Sequence, residues 1–250
     1  SNLLYENKEV QTITDGLTYE KSERLYKSGW KDVYVLVADL TNPNIDNEIL
    51  DSVTEHGLKK NVEALTKENN AVAGINADFF SSGNPASSMG QIIVDGKVNE
   101  AQNYYNVSSN KYAGIFLDKY GNGFVDYIKS NLRLYNDKVS LELQAKNKIT
   151  DFKKPIYFDR TVINNTQDLD NRRKDLFKIV IQDKKIIHKA GAGEVVDIPE
   201  NGYIIVMDKT TASEKLPLFN VGDSLTFTES YQFVFREGKD ISEVMTGISS

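Results

Sequence analysis

The chain contains no cysteine. Disulfides, thiolate nucleophiles and cysteine-based metal sites are therefore excluded, and several catalytic classes go with them. Histidine is nearly as scarce: His56 follows Glu55 in a polar stretch, and His188 sits in the strand-like "KIIHKA". Isolated histidines of this kind read as structural or solvated. No apolar run approaches the roughly 18 residues that would span a bilayer, so no membrane span is expected. Positive charge is also in deficit, with 30 Lys and Arg against 36 Asp and Glu, a formal charge of -6. A nucleic-acid partner would call for a basic patch, so none is expected. The short clusters Arg172-Arg173-Lys174 and Lys184-Lys185 lie beside acidic residues and read as solvated turns. Internal repeats and low-complexity linkers are missing as well.

What is present is an ordinary folding composition, 40% hydrophobic and 26% charged over 250 residues. That is enough to bury one sizeable core. Runs of Val, Ile, Tyr and Phe bounded by Gly, Asn and Asp predict strands along most of the chain. "DVYVLVADL" (32–40) is the first strong one. Leu58, Val62 and Leu65 then recur at helical spacing and predict a helix over 58–69. "AVAGIN" reads as a short buried strand. "GQIIVDGKV" carries an Asp95-Gly96 pair and "YAGIFLDKYGNGFVDYI" a Gly-Asn-Gly triplet, both hairpin signals. "VSLELQ", "PIYFDRTVI", "LFKIVIQDKKIIHKA", "GYIIVMD" and "DSLTFTESYQFVF" continue the series, and "DISEVM" reads as helical. The expected fold class is α+β, a mainly antiparallel β-sheet with a few packed helices. No domain boundary is legible, so a single domain over 1–250 is expected.

Chemistry concentrates in "GINADFFSSGNPASSMG" (74–90). In an extended conformation Asn76 and Asp78 share a face, with side chains about 7 Å apart. Such a pair can hold a sugar hydroxyl or stabilise developing positive charge. Ser81, Ser82, Gly83, Asn84, Pro85, Ser87, Ser88 and Gly90 supply small groups and backbone donors suited to an oxygen-rich ligand. The competing reading is a strand ending at an Asx turn, with Phe79 or Phe80 in the core and a solvated loop after it. "DLDNR" (168–172) has the acidic density of a calcium loop but lacks the glycine and distal glutamate of an EF-hand, so the pattern does not support a metal site there.

"AVAGINADFF", the Gly/Ser loop and "GQIIVDGKV" together resemble the signature of the phosphodiester glycosidase family, whose best-known member removes N-acetylglucosamine from a phosphodiester. "GLTYEKSERLYKSGWKDVYVLVADLTNP" (16–43), "YAGIFLDKYGNG" (112–123) and "FKIVIQDKKIIHKAGAGEVVDIPENGYIIVMDK" with "FNVGDSLTF" resemble its other segments in order and spacing. Family members continue past a Gly-rich turn, which "MTGISS" (245–250) resembles, into an Arg-Thr pair and an Asp-Gly-Gly-Gly-Ser motif. Neither follows here, and Arg160-Thr161 lies in a different strand. The expectation is a family domain incomplete at its C-terminus, with a C-terminal fragment as a partner or, where nothing else covers the unpaired strand edges, self-association.

The resemblance implies hydrolysis of a glycosyl-phosphodiester bond in cell-envelope or exopolysaccharide material. Asp78 would be the catalytic carboxylate, as base or electrostatic stabiliser, and Asn76 would orient a sugar hydroxyl. Phe80 would wall the sugar, while Ser81 and the amides around Gly83 and Gly90 would face the phosphate. No cofactor or metal is implied. The partner would be a carbohydrate or glycosyl-phosphate substrate, and the setting a secreted or envelope-associated bacterial protein. The alternative is a non-catalytic domain that binds polysaccharide through the same groove.

Overall fold

The computed structural model describes residues 2–50, 60–77, 79–80, 87–103 and 113–249. The chain divides into two compact units, Ser1–Glu48 and Ile49–Ser250.

The first unit is an antiparallel meander of β1 (Leu3–Thr14), β2 (Leu17–Tyr26) and β3 (Gly29–Ala38), with β2 in the middle. The β1–β2 turn places Gly16 at φ +80°, where a side chain would be strained. Charges pair across the strands: Arg24 lies 2.6 Å from Glu6, and Lys8 lies 2.7 Å from Glu20. Tyr5 meets Trp30 edge-on and Tyr19 stacks on Tyr34. The strand reading of "DVYVLVADL" matches β3. β1 carries no strong strand signal, because Glu6, Asn7, Lys8 and Glu9 interrupt its apolar residues and none of its residues is buried.

The second unit opens with α1 (Val62–Glu68), capped by the Asn61 side chain, which accepts from the Ala64 N–H at 2.7 Å. The strands follow: β4 (Ile92–Val94), β5 (Lys97–Gln102), β6 (Gly114–Asp118), β7 (Gly123–Asp126), β8 (Ile128–Tyr135), β9 (Ser140–Glu142), β10 (Ala145–Lys146) and β11 (Ile156–Phe158). After α2 (Gln167–Arg172) come β12 (Phe177–Gln182), β13 (Lys185–Ala190) and β14 (Gly202–Met207), then α3 (Lys209–Lys215), β15 (Thr226–Phe233) and β16 (Val244–Ser249). Ten strands form one mixed sheet in the order β13-β12-β14-β11-β10-β5-β4-β16-β6-β7, in which β10 and β11 run parallel. A second sheet has the order β15-β8-β9.

Period-two alternation divides the large sheet's side chains between two cores. Ile179, Ile181, Ile205 and Met207 join the cluster that also holds Leu132, Leu134 and Phe233 of the small sheet, so the two sheets pack face to face. Val180, Ile204, Val206, Ile156 and Phe158 point the other way, into a cluster completed by Phe152, Leu169 and Leu176. The Asp95-Gly96 and Asp183-Lys184 turns have positive φ at both central residues, as two-residue hairpin turns require.

The α+β expectation is corrected here. Strands account for 46% of the structure and helices for 12%, which makes the fold mostly β. The helices are short, and α1 buries none of its residues, so helices do not form a packed layer. Two local readings also change. "AVAGIN" is not in a strand and is largely exposed. "DISEVM" forms a single 3-10 turn at Ile241–Glu243 and then enters β16, because pairing with β4 and β6 takes its remaining backbone donors. No helix among the described residues is long and apolar enough to cross a membrane.

Candidate functional site

The segment singled out in the sequence is described in part. Asn76 is exposed, and Phe79 and Phe80 are exposed to 75% and 51%. Asp78, Ser81 and Gly83 lie outside the described residues. The segment returns on itself: Phe80 bridges antiparallel to Ser88, and the Met89 N–H donates to the Phe79 carbonyl at 2.8 Å. Phe79–Phe80 and Ser88–Met89 are thus paired side by side, and this pairing is called the turn-back below. Its base is locked to β16. Gln91 N–H donates to Ser249 Oγ at 2.7 Å, and Ser249 N–H donates to the Gln91 carbonyl at 3.1 Å. Gly90 is buried at this junction, where a Cβ would fall 1.3 Å from the Ser249 carbonyl oxygen.

Beneath the turn-back lies a feature that the sequence reading missed. Lys146, Asn147 and Lys148 are consecutive, and all three are buried. Lysine is almost never fully buried unless it is paired. Each of the three meets a carboxylate brought from a different part of the chain. Lys146 Nζ donates to both oxygens of Glu229 on β15, at 3.0 and 2.8 Å. Asn147 Nδ2 donates to Asp159 at 2.9 Å, and its Oδ1 accepts from the Asp159 N–H. Lys148 Nζ lies 3.3 Å from Glu100 Oε2 on β5. Asn147 adopts φ 56°, a left-handed conformation that asparagine tolerates better than most residues, and the reversal there redirects the strip.

Lys148 is the link to the turn-back. It donates to the Ser88 carbonyl at 2.9 Å and to Ser88 Oγ at 2.5 Å, while Ser88 Oγ donates to Glu100 at 2.6 Å. Ile149 N–H reaches Ser87 Oγ at 3.3 Å. Ser88 is thereby held by both members of a buried ion pair, Lys148 and Glu100.

The other end of the strip is aromatic. Lys146 lies over the ring of Tyr157 at 5.8 Å, and Tyr157 forms a triangular cluster with Tyr203 and Phe227. Tyr231 donates to Glu229 at 2.6 Å. Burial first, then the carboxylates of Asp159 and Glu229, push the Tyr157 hydroxyl far above its ordinary range; burial and Glu229 do the same to Tyr231. Both remain hydroxyl donors at physiological pH and are unsuited to act as phenolate nucleophiles.

The remaining sequence candidates have structural surroundings. Arg160 donates to the Ile198 carbonyl at 2.7 Å and reaches Glu200. His188 is exposed and pairs with Glu194 at 2.6 Å. His56 lies outside the described residues. Asp170 of "DLDNR" is buried against Lys178, and Thr166 donates to it at 2.6 Å. Among the described residues, no group of three or more His, Cys, Asp or Glu is placed to hold a metal ion.

No family model matches the chain, and no curated protein does either. Solved structures are similar in fold. A hypothetical protein from Synechocystis superposes with a TM-score of 0.75 at 12% identity, over 98% of this chain and 44% of that one. A protein from Burkholderia pseudomallei K96243, described as a candidate exported protein, superposes with a TM-score of 0.66 at 13% identity, over 100% of this chain and 72% of that one. The chain thus spans less than half of the Synechocystis protein. At these identities the likeness is one of fold.

Proposed function

We propose that this chain supplies one wall of a hydrolase site for a glycosyl-phosphodiester bond, in the manner of the phosphodiester glycosidases that its sequence resembles. The observation that carries the reading is the fastening of Ser88 by Lys148 and Glu100. A phosphate-binding loop needs a firm anchor, and the buried pair of Lys148 and Glu100 supplies one at Ser88, where the Gly/Ser segment ends. The chemistry of glycosyl transfer to water passes through an oxocarbenium-like transition state. A phosphodiester is already a good leaving group, so the heavier demand is for a carboxylate near the anomeric carbon, here Asp78, and for donors around the phosphate. Asn76 orients a sugar hydroxyl. Envelope or exopolysaccharide material is the proposed substrate, and an exported location is supported by the description of the Burkholderia neighbour.

The test is sugar release from an N-acetylglucosamine 1-phosphodiester by the wild-type chain and by Asp78→Asn, with circular dichroism to verify that both fold. Release that disappears in the variant supports the reading. Release that persists removes Asp78 from the mechanism. A chain that retains polysaccharide on an affinity column without releasing sugar would instead be a binding domain.

A further inference from the structure

We infer that β1 is a dimerisation strand, which pairs antiparallel with β1 of a second copy about a two-fold axis at Asn7. Every residue of β1 is exposed, and among the described residues β2 is its one neighbour in the sheet. A free edge of twelve residues is a template for another strand unless charge or irregularity blocks it. The charges of β1 do not block it. They select one partner.

In a symmetric antiparallel pair the two-fold axis is normal to the sheet, so directly opposed residues share a face and the axis passes midway between one residue and its own copy. The centres within the charged stretch Glu6–Glu9 can therefore be examined in turn. Centring on Glu6, Lys8 or Glu9 sets that charge against its own copy, which is unfavourable. Centring on Asn7 sets Glu6 opposite Lys8 of the second copy and Lys8 opposite its Glu6, so two complementary pairs form at once. The same register places Leu4 opposite Val10, and these side chains are exposed to 56% and 58% in the single chain.

The charge pattern extends beyond the two edge strands. Within the sheet Glu6 already pairs with Arg24 and Lys8 with Glu20. The dimer would join these into the row Arg24, Glu6, Lys8, Glu20 across four strands, with the last two from the second copy and the signs alternating throughout. The opposite edge of the sheet offers no equivalent. Its charges Lys31 and Asp32 are adjacent in β3, hence on opposite faces, and no symmetric pairing can oppose them.

The absence of cysteine makes the register directly measurable. In the full chain, Asn7→Cys would place two thiols on the two-fold axis, within the Cα separation that a disulfide requires. Gln11→Cys would oppose Leu3 and leave its own copy far away. Under mild oxidation Asn7→Cys is expected to form a covalent dimer and Gln11→Cys to remain monomeric, with light scattering reporting a wild-type dimer at micromolar concentration. Lys8→Glu should weaken association about tenfold or more, and reversing all four charges of the row (Glu6→Lys/Lys8→Glu/Glu20→Lys/Arg24→Glu) should restore it. A wild-type monomer would overturn the inference. So would a dimer in which Asn7→Cys cross-links no faster than Gln11→Cys. Both readouts are independent of any hydrolytic activity.

Discussion

Lys148 and Glu100 lie 3.3 Å apart with side chains exposed to 2% and 1%. Neither charge is tolerable at that depth without the other, because desolvating a lone ion costs several kcal/mol. Their meeting joins β5 to the segment after β10, and Ser88 makes it a three-way junction with the turn-back.

The first prediction follows from that dependence. Lys148→Met leaves Glu100 buried without its counter-ion and is expected to cost about 3–5 kcal/mol of folding stability. Glu100→Leu added to Lys148→Met removes the stranded charge and should recover much of the loss. Urea denaturation of the wild type, both single variants and the double variant measures the coupling. Equal losses in the single and double variants would mean that the two charges do not depend on each other.

Gly90 gives a steric test of the junction with β16. A methyl group there would overlap the Ser249 carbonyl, at 1.3 Å from its oxygen and 2.1 Å from its carbon. Those are backbone atoms and cannot step aside as a flexible side chain can. Gly90→Ala should cost about 1–3 kcal/mol or more through backbone displacement. Gly191→Ala serves as the control, since its Cβ would meet Glu194 Oε2 at an ordinary 3.8 Å. Thermal melts showing equal midpoints for the two variants would contradict the close packing of Gly90.

The contrast between the legible and illegible parts of this molecule has a physical origin. Strands β12 and β14 were readable because Ile179 to Ile181 and Ile204 to Met207 serve two cores and so form continuous apolar runs. The Asp95-Gly96 turn was readable because left-handed φ at two successive residues is a narrow chemical demand. Lys146 and Lys148 were not, since a lysine's burial is decided by carboxylates dozens of residues away, and "QAKNKIT" taken alone resembles a surface turn. "AVAGIN" misled for the opposite reason. Small apolar residues suggest a buried strand, yet Val72 and Ile75 are exposed to 70% and 72%. In the turn-back, the Gly/Ser composition was visible, but its fastening to Lys148 and Ser249 is tertiary and left no local signal.

Asp118 predicts a pH effect at the β6–β7 turn. Burial would raise its carboxyl pKa, but the Lys239 ammonium and the backbone N–H groups of Asn122 and Tyr120 outweigh it and hold the value at about 2, below the ordinary 3.8. Lys239 lies 3.0 Å away. A depressed carboxylate pKa contributes stability that is present above the unfolded value and is lost as pH falls through the folded one. Asp118→Asn should therefore melt below the wild type at neutral pH, and the gap should close between about pH 4 and pH 2. A gap that persists undiminished at pH 2 would assign the effect to lost hydrogen bonds rather than to charge.

The buried pair of Lys178 and Asp170 predicts the opposite trend with pH. Burial pushes the Lys178 pKa down, and the Asp170 carboxylate opposes that push. Asp170→Asn removes the opposition while keeping a group that can still accept from Thr166, so Lys178 must lose its proton for the chain to fold. The cost at neutral pH is expected to be about 3–5 kcal/mol. A lysine whose folded pKa lies below its unfolded value binds fewer protons in the folded state, so stability rises with pH across the interval between the two. The deficit of Asp170→Asn should accordingly shrink as pH rises from 7 towards the ordinary lysine value of 10.5. Denaturant midpoints of both proteins over that range decide the matter. A constant deficit would mean that Lys178 stays charged in the core without its carboxylate, held by the Glu194 carbonyl at 2.7 Å.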